Sequence, residues 1–551
     1  MSRDKSNKIV ISKLNSDISD FSQKKFNINL NRVAFIFLVI LIFIILYSTR
    51  VVYLSSKTLQ NNPYKISIIN RADITDRNGS YISKSVFTSN IGIDPKLVRD
   101  KKKLLLKLKY TFPDKDFVEI EKKMNGKKFF YIEKKVIPER YYQLKLLGEK
   151  SIRMEQKITR IYPDKNLFSH VVGQIDDDNN GISGLEKSFD KKLKDGRNSL
   201  TLTLDKELQF IIRDELINAQ KIFKNIGGAG ILMNINNGEI LSLVSVPDFN
   251  LNIRKDISDK NYINRATKGV YELGSVFKSF TIAAGLNYDL ISPDDIFLNL
   301  EKKVKCGRRT ISEYDKNLSK DLSVEDILVH SSNIGSVKIG QIIGQEKLQT
   351  FLKKIGILSQ LDFDIEETGK PLPFKWRDCK LETVSYGHGV TTTPIQLAKG
   401  YAILANGGYD VKPTLIKEKI YNSQKKRILN KDVSNKINRM LRKVVTQGTA
   451  TLSDVEGYEI GGKTGTAQIV ENGAYTNKKI NTFASIFPSS NPKYVLIILL
   501  EDTKLSKDYI YEYRNKTGSY KGTPFNTAGW TSVEITGKII DKIGPILATK
   551  Y

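Results

Sequence analysis

An unbroken apolar run constrains everything that follows it. From Val33 to Tyr47 the sequence VAFIFLVILIFIILY holds 15 residues without a charge. Continued through Val51, Val52 and Tyr53, it reaches membrane-spanning length once Arg50 snorkels to the interface. A buried core helix would carry a polar stripe, and this run has none. A cleaved leader is disfavoured, because 32 residues precede the run and no small-residue cleavage site follows between Ser48 and Ser56. The expected organisation is a tail over 1–32, one transmembrane helix over 33–54 and a long exported remainder. The tail carries seven Lys/Arg against three Asp, which favours a cytoplasmic tail, although basic residues also follow the span.

The remainder is long enough for two or three domains at roughly 150 residues each. With 40% hydrophobic and 27% charged residues, the chain of 551 is neither disordered nor of low complexity. Lys plus Arg, 88, less Asp plus Glu, 60, leaves +28, which raises nucleic acid, anionic lipid or an acidic polymer as partners. An exported remainder removes DNA and RNA from that set. Two cysteines, Cys306 and Cys379, and three histidines, His170, His330 and His388, are too scattered for a Cys/His metal site, so no metal is expected. Whether the cysteines bond to each other is left open.

Residues 55–200 are lysine-rich and mixed. A helix is predicted over Pro95–Tyr110, with Lys101–Lys109 as a solvated face, and strand-like residues near Phe129–Ile132. The texture changes near Asp205. LTLTLDKELQFIIRDELINAQKIF reads as a strand leading into an amphipathic helix, and GAGILMNINNGEILSLVSV as a hairpin turning at Asn236-Asn237-Gly238. A second hairpin is predicted over Thr482–Leu500 and a helix over Thr531–Leu547. Strands at both ends with helices between them imply an α+β or α/β domain to the end of the chain.

Three short patterns in that domain carry chemistry. In YELGSVFKSFTIAAGL, Ser275 opens an apolar helical run and Lys278 follows one turn later, on the same face. Serine needs a base, and a lysine can serve when burial and nearby positive charge lower its pKa. Ser-x-x-Lys also occurs from Ser2, Ser22, Ser188, Ser423 and Ser490, so the setting of Ser275 distinguishes it, not the pattern. Ser331-Ser332-Asn333 offers a hydroxyl and a carboxamide, or else an ordinary helix cap. Gly462-Lys463-Thr464-Gly465-Thr466 reads as a strand open to an extended ligand. Its triplet recurs at Lys516-Thr517-Gly518, in polar, loop-like surroundings.

In that order, Ser-x-x-Lys, Ser-x-Asn and Lys-Thr-Gly form the set of penicillin-binding proteins and serine β-lactamases. The chain resembles the class B penicillin-binding proteins, most closely the division-specific transpeptidases of the FtsI type. Further matching stretches are Asp73–Gly79, Arg160–Pro163 with His170–Gly173, Gly181–Glu186, Asn264–Thr267, Ser385–Gly389 and Thr527–Trp530. Departures are modest: Ala72 stands where the family often has glycine, and Leu273-Gly274-Ser275-Val276 where it often has Pro-Gly-Ser-Thr. The resemblance implies a membrane-anchored multidomain fold, with an α+β pedestal over 55–200 and a transpeptidase domain over 201–551. The latter would be an antiparallel sheet flanked by helices, serine β-lactamase-like. Ser275 would be the nucleophile attacking a peptidoglycan stem peptide or a β-lactam, Lys278 its base, Ser331 a proton relay and Asn333 the residue holding Lys278 and substrate. Lys463, Thr464 and Thr466, with Gly465 between them, would bind the terminal carboxylate, and the backbone N–H groups of Ser275 and Thr466 would form an oxyanion hole. No cofactor is implied. His388 would be structural, and Thr393-Pro394-Ile395-Gln396 a capping box. Only about 150 residues separate the anchor from residue 205, with no Glu-Asp-x-x-Phe-x-x-His-like stretch among them, so a resident glycosyltransferase is not expected. A partner of the FtsW type in the bacterial inner membrane is implied, with the catalytic domain periplasmic. Rival readings are an elongation-specific transpeptidase, a D,D-carboxypeptidase or β-lactamase-like hydrolase, and a noncatalytic division scaffold.

Overall fold

The computed structural model describes residues 30–60, 71–136, 138–253, 260–307, 309–419, 426–471 and 473–551. The chain forms two units, 1–69 and 70–551. In the first, helix α1 spans Leu30–Gln60, and its stretch Asn31–Leu54 has a mean hydropathy of 2.6 with none of it buried against protein. An apolar helix that covers none of its surface with protein matches a lipid-facing segment. Most of the expected tail, residues 1–29, lies outside the described residues.

The second unit begins with a small sheet. Strand β1 (Tyr81–Ile93) is flanked by β2 (Phe130–Val136) and β3 (Ile152–Ile161), both antiparallel to it. Between β1 and β2 run α2 (Lys101–Thr111) and α3 (Phe117–Met124). The predicted helix over Pro95–Tyr110 is therefore broken. Asp94 caps a single 3-10 turn at Pro95–Leu97, and Asp100 starts afresh by accepting the Lys103 N–H. Each aspartate satisfies orphan amides that a continuous helix would not have had. Within α2, Leu104 and Leu108 are buried and Lys101, Lys102, Lys103 and Lys109 face solvent.

Residues on either side of this small sheet belong to the larger core. Ile91, Leu104, Phe112, Ile120 and Leu144 form a separate apolar cluster. Ala72, Ile74, Ile82, Tyr162 and Leu200 pack with the main one. The chain closes on itself here, since Ile74–Thr75 pairs in parallel with Leu200–Thr201. At this neck a buried ion cluster forms. Arg71 Nε lies 2.5 Å and Arg160 Nε 2.8 Å from the two carboxylate oxygens of Glu186, and Arg71 also reaches Asp190 at 2.8 Å. The stretches Arg160–Pro163 and Gly181–Glu186 meet at this carboxylate, with Arg71 arriving from 115 residues before Glu186.

After the neck, α4 (Lys206–Phe223) is capped by Asp205 and leads into the hairpin of β4 (Gly227–Asn234) and β5 (Ile240–Val246). The middle of the domain supplies α5 (Lys278–Asn287), the small hairpin β6 (Lys303–Cys306) and β7 (Arg309–Ser312), α6 (Asn333–Ile343), α7 (Lys380–Ser385), α8 (Pro394–Ala405) and α9 (Lys431–Thr446). The chain then returns through β8 (Gly461–Glu471), β9 (Ala474–Phe487) and β10 (Tyr494–Glu501), ending in α10 (Ser532–Lys550). The resulting sheet is antiparallel throughout, in the order β8-β9-β10-β4-β5. Thus β8 is an edge strand. Helices α4 and α10 pack together against the sheet, and α8 packs against it with α9. Helix α5 is buried over nearly its whole length, and its buried hydroxyls find partners, Ser279 at Tyr401 and Thr281 at the Ser385 carbonyl. Both predicted hairpins form, and the capping box at Thr393 and Gln396 starts α8 with Pro394 in its first turn.

Cys306, at the tip of the β6–β7 hairpin, is disulfide-bonded to Cys379, just before α7, across 73 residues and with a Cα–Cα distance of 5.4 Å. Among the described residues the only cluster of potential metal ligands is these two sulfurs with Glu382, and both sulfurs are spent on that bond.

Candidate active site

Ser275 sits in a 3-10 turn, Gly274–Phe277, that leads directly into α5. The turn is wedged between two close approaches that only glycine permits. A Cβ on Gly465 of β8 would lie 2.1 Å from the Leu273 carbonyl oxygen, and one on Gly387 would lie 2.0 Å from that of Gly274. The edge strand and the Ser385–Gly389 loop are thereby pressed onto the Ser275 turn from different sides.

Lys278, fully buried, lies at the centre. Its Nζ is 3.0 Å from Ser275 Oγ, 2.6 Å from the Ser331 carbonyl oxygen, 3.1 Å from Ser331 Oγ and 2.8 Å from Asn333 Oδ1. Burial pushes its pKa down to about 7, against the opposing pull of the Glu313 carboxylate. A large neutral fraction therefore exists at neutral pH, and a neutral amine can accept the Ser275 O–H. Ser331 adopts a left-handed backbone (φ 61°) and turns its hydroxyl toward both lysines: Lys463 Nζ donates to the same Oγ at 2.9 Å. Ser332, not Ser331, caps α6 by accepting the Gly335 N–H. The triplet is a helix cap and a cleft wall at once.

Lys463 is also fully buried, and its pKa is held well below the ordinary lysine value, first by burial and then by the charge of Lys278. Beside it, Thr464 Oγ1 pairs with Thr449 Oγ1 at 2.7 Å, and Thr466 Oγ1 accepts the Ala528 N–H at 2.9 Å. Thus the eight residues predicted for the site come together from three distant stretches of chain. The recurrent triplet does not join them. Lys516 is exposed on the link between the short strands Ile510–Glu512 and Ser519–Lys521, its ammonium 4.4 Å from the Tyr513 ring centre. Of the other Ser-x-x-Lys serines, Ser188 accepts the Glu366 N–H and Ser490 bonds Glu459, while Ser2, Ser22 and Ser423 lie outside the described residues. His388 stacks on Tyr475, with ring centres 4.9 Å apart, and its Nδ1 lies 3.7 Å from Glu272.

Sequence reasoning passed over Glu313. Its carboxylate accepts the Ser332 hydroxyl at 2.6 Å and the N–H groups of Asn333 and Ile334 at 2.8 and 2.9 Å. No local signal marks a glutamate that meets its partners across 19 to 21 residues. Thr449 was missed for the same reason. Thr527–Trp530, by contrast, stood out by resemblance before its contact with Thr466 was known.

Comparison with known proteins places the chain in a family. Residues 228–525 match the model of the penicillin binding protein transpeptidase domain, and residues 68–215 that of the penicillin-binding protein dimerisation domain. The probable peptidoglycan D,D-transpeptidase FtsI of Caulobacter vibrioides is 28% identical over 497 residues, covering 87% of this chain and 82% of that one. The peptidoglycan D,D-transpeptidase FtsI of Buchnera aphidicola subsp. Baizongia pistaciae is 30% identical over 550 residues, covering 89% and 95%. Among solved structures, apo penicillin binding protein 3 of Mycobacterium tuberculosis shares the fold with a TM-score of 0.65 at 21% identity, over 87% of this chain and 96% of that one. A family model spanning more than half the chain, together with relatives aligned along most of it, makes this chain a member of the penicillin-binding protein transpeptidase family.

Proposed function

We propose that this protein is a membrane-anchored peptidoglycan D,D-transpeptidase that crosslinks stem peptides during septal wall synthesis. The observation that carries the reading is the convergence of Ser275, Lys278, Ser331, Asn333 and Lys463 within hydrogen-bonding reach of one another.

In the first half-reaction the Ser275 hydroxyl attacks the penultimate D-Ala carbonyl carbon of the donor stem, and Lys278 accepts its proton. The developing oxyanion is met by the backbone N–H groups of Ser275 and Thr466. The proton passes from Lys278 through the Ser331 hydroxyl to the leaving amine, and the C–N bond breaks to give a serine ester and free D-Ala. The amine of a neighbouring stem then attacks the ester, and reversal of the same relay regenerates Ser275. Lys463, with Thr464 and Thr466, receives the donor carboxylate. That carboxylate supplies a counter-charge beside Lys463, on which only burial and the charge of Lys278 otherwise act, so its arrival raises the pKa of Lys463 and restores the ammonium that grips it.

The anchor over 33–54 tethers the enzyme to the inner membrane, and the catalytic domain lies in the periplasm. The Cys306–Cys379 disulfide supports that side, because such bonds persist in oxidising compartments. Residues 55–200 form the pedestal and 201–551 the transpeptidase domain, and a membrane glycosyltransferase of the FtsW type supplies the glycan strands.

Mass spectrometry of the protein after incubation with penicillin tests the reaction class and the site together. The expected result is a single adduct on Ser275 that is absent from Ser275→Ala. An adduct persisting in that variant would move the nucleophile elsewhere. For the cellular role, depletion should give filaments; rounded cells would assign the enzyme to elongation.

A further inference from the structure

The hairpin β6–β7 belongs to neither large sheet, and an isolated two-stranded hairpin is marginal in water. Here it is fastened at both ends. At its tip, Cys306 is bonded to Cys379, which precedes α7, and α7 packs on α6. At its base, Ser312 accepts the Asn333 side-chain amide at 2.9 Å, and Glu313 takes the Ser332 hydroxyl and the first two amides of α6. The four hydrogen bonds grip residues 332–334, and the Asn333 oxygen they orient is the one that touches Lys278.

We propose that Glu313 is a positioning residue of the acyl-transfer site, and that the Cys306–Cys379 bond serves catalysis by fixing the hairpin that carries it. The inference rests on the reading of Ser275 and Lys278 given above. A carboxylate suits the place for two reasons. It accepts several hydrogen bonds and donates none, and the amino terminus of a helix favours an anion. A glutamine would turn a donor toward one of the three groups that themselves donate.

Glu313 also acts on Lys278 through its charge. One charged group bears on that lysine, Glu313 from the hairpin; its contacts Ser275, Ser331 and Asn333 are neutral, and Lys463 of β8, across the shared Ser331 hydroxyl, is itself held well below the ordinary lysine value. Loss of the Glu313 charge removes what opposes burial, so the Lys278 pKa falls further.

The test is the second-order rate of acylation of the full chain by a fluorescent penicillin, measured against pH. Glu313→Gln is expected to lower the plateau by about ten- to a hundredfold, the scale on which misplacement of a reacting group is felt. Its acidic limb should also move to lower pH. Glu313→Asp, which keeps the charge but is one methylene short, should lose plateau rate with the limb in place. Cys306→Ser with Cys379→Ser, leaving Glu313 intact, should lower the plateau several-fold. A parent-like plateau in Glu313→Gln overturns the proposal. So does a lowered plateau with an unmoved limb, which would mark a merely structural role, and so does a parent-like rate in the double serine variant. Should Glu313→Gln not fold, parent-like rates in both Glu313→Asp and the reduced wild-type protein overturn it equally. Ser275→Ala, measured alongside, separates the two levels: labelling of that variant removes the reading of the site itself, whereas its silence leaves any failure with Glu313 alone.

Discussion

The neck and the cleft both take ionisable groups out of water, and they treat them in opposite ways. At the neck, Glu186 is enclosed by Arg71 and Arg160, with Ser83 Oγ donating at 3.0 Å. Burial alone would lower the Arg71 pKa, but Glu186 and Asp190 more than reverse this and raise it above the ordinary value. In the cleft, Lys278 and Lys463 are buried with a shared hydroxyl between them, and both pKa values fall. A compensated buried charge is fixed in its protonation and serves geometry. One compensated only in part, as Lys278 is by Glu313, yields its proton and becomes available for chemistry.

The sharpest way to break this contrast is to remove the charge on each side. Lys278→Met, near in length and without a proton to exchange, should slow penicillin acylation by about 10²–10⁴-fold, the usual worth of a positioned base. An unchanged rate would return the cleft lysine to the structural class. Glu186→Gln should do the reverse. Breaking one partner of a buried cluster costs about 3–5 kcal/mol, so the melting temperature should drop while acylation per folded molecule holds. If the labelling rate falls without loss of stability, the neck takes part in chemistry after all.

The contrast also explains what could be read without coordinates. Ser275, Lys278, Asn333 and Lys463 were legible because acyl transfer admits few residue types and their order along the chain is diagnostic. The hairpins were legible because alternation and a glycine-containing turn act locally. The long apolar helix near the N-terminus was legible from apolarity alone. Glu186 was visible only as part of a matching stretch with no assigned role, since nothing in Gly181–Glu186 announces two arginines arriving from residues 71 and 160. Glu313 was invisible for the same reason. The error over Pro95–Tyr110 was local: helical periodicity outweighed two aspartates, each of which prefers to begin a helix rather than continue one.

Proton linkage sharpens the comparison further. The Lys278 pKa in the folded state, about 7, lies below that of an unfolded lysine. Between those values the unfolded chain holds more protons, so stability rises with pH across the window. The cost of burying Lys278 is greatest below its folded pKa and vanishes above the unfolded one. Lys278→Met escapes it. Melting curves from pH 7 upward should therefore show the variant's advantage over the parent shrinking toward pH 10.5. The acylation rate of the parent should climb as pH passes about 7 and then level off. A pH-independent stability gap would mean that Lys278 is compensated as the neck is.

The smallest effect belongs to the recurrent triplet, which isolates environment from residue type. Lys516 has the same two following neighbours as Lys463, threonine and glycine, but its side chain lies in solvent against the Tyr513 face, on a link between two three-residue strands. An exposed ammonium there keeps its hydration, and a cation–π contact at an exposed site contributes about 0.5–1 kcal/mol. Lys516→Ala should leave acylation within experimental error and lower stability by no more than that contact. Lys463→Ala, with the same change in atoms, should weaken acylation by any penicillin bearing a free carboxylate. If the two substitutions behaved alike, burial would not be what suits the cleft lysine to the carboxylate-binding role proposed for it, and the distinction between the two buried regions would lose its physical basis.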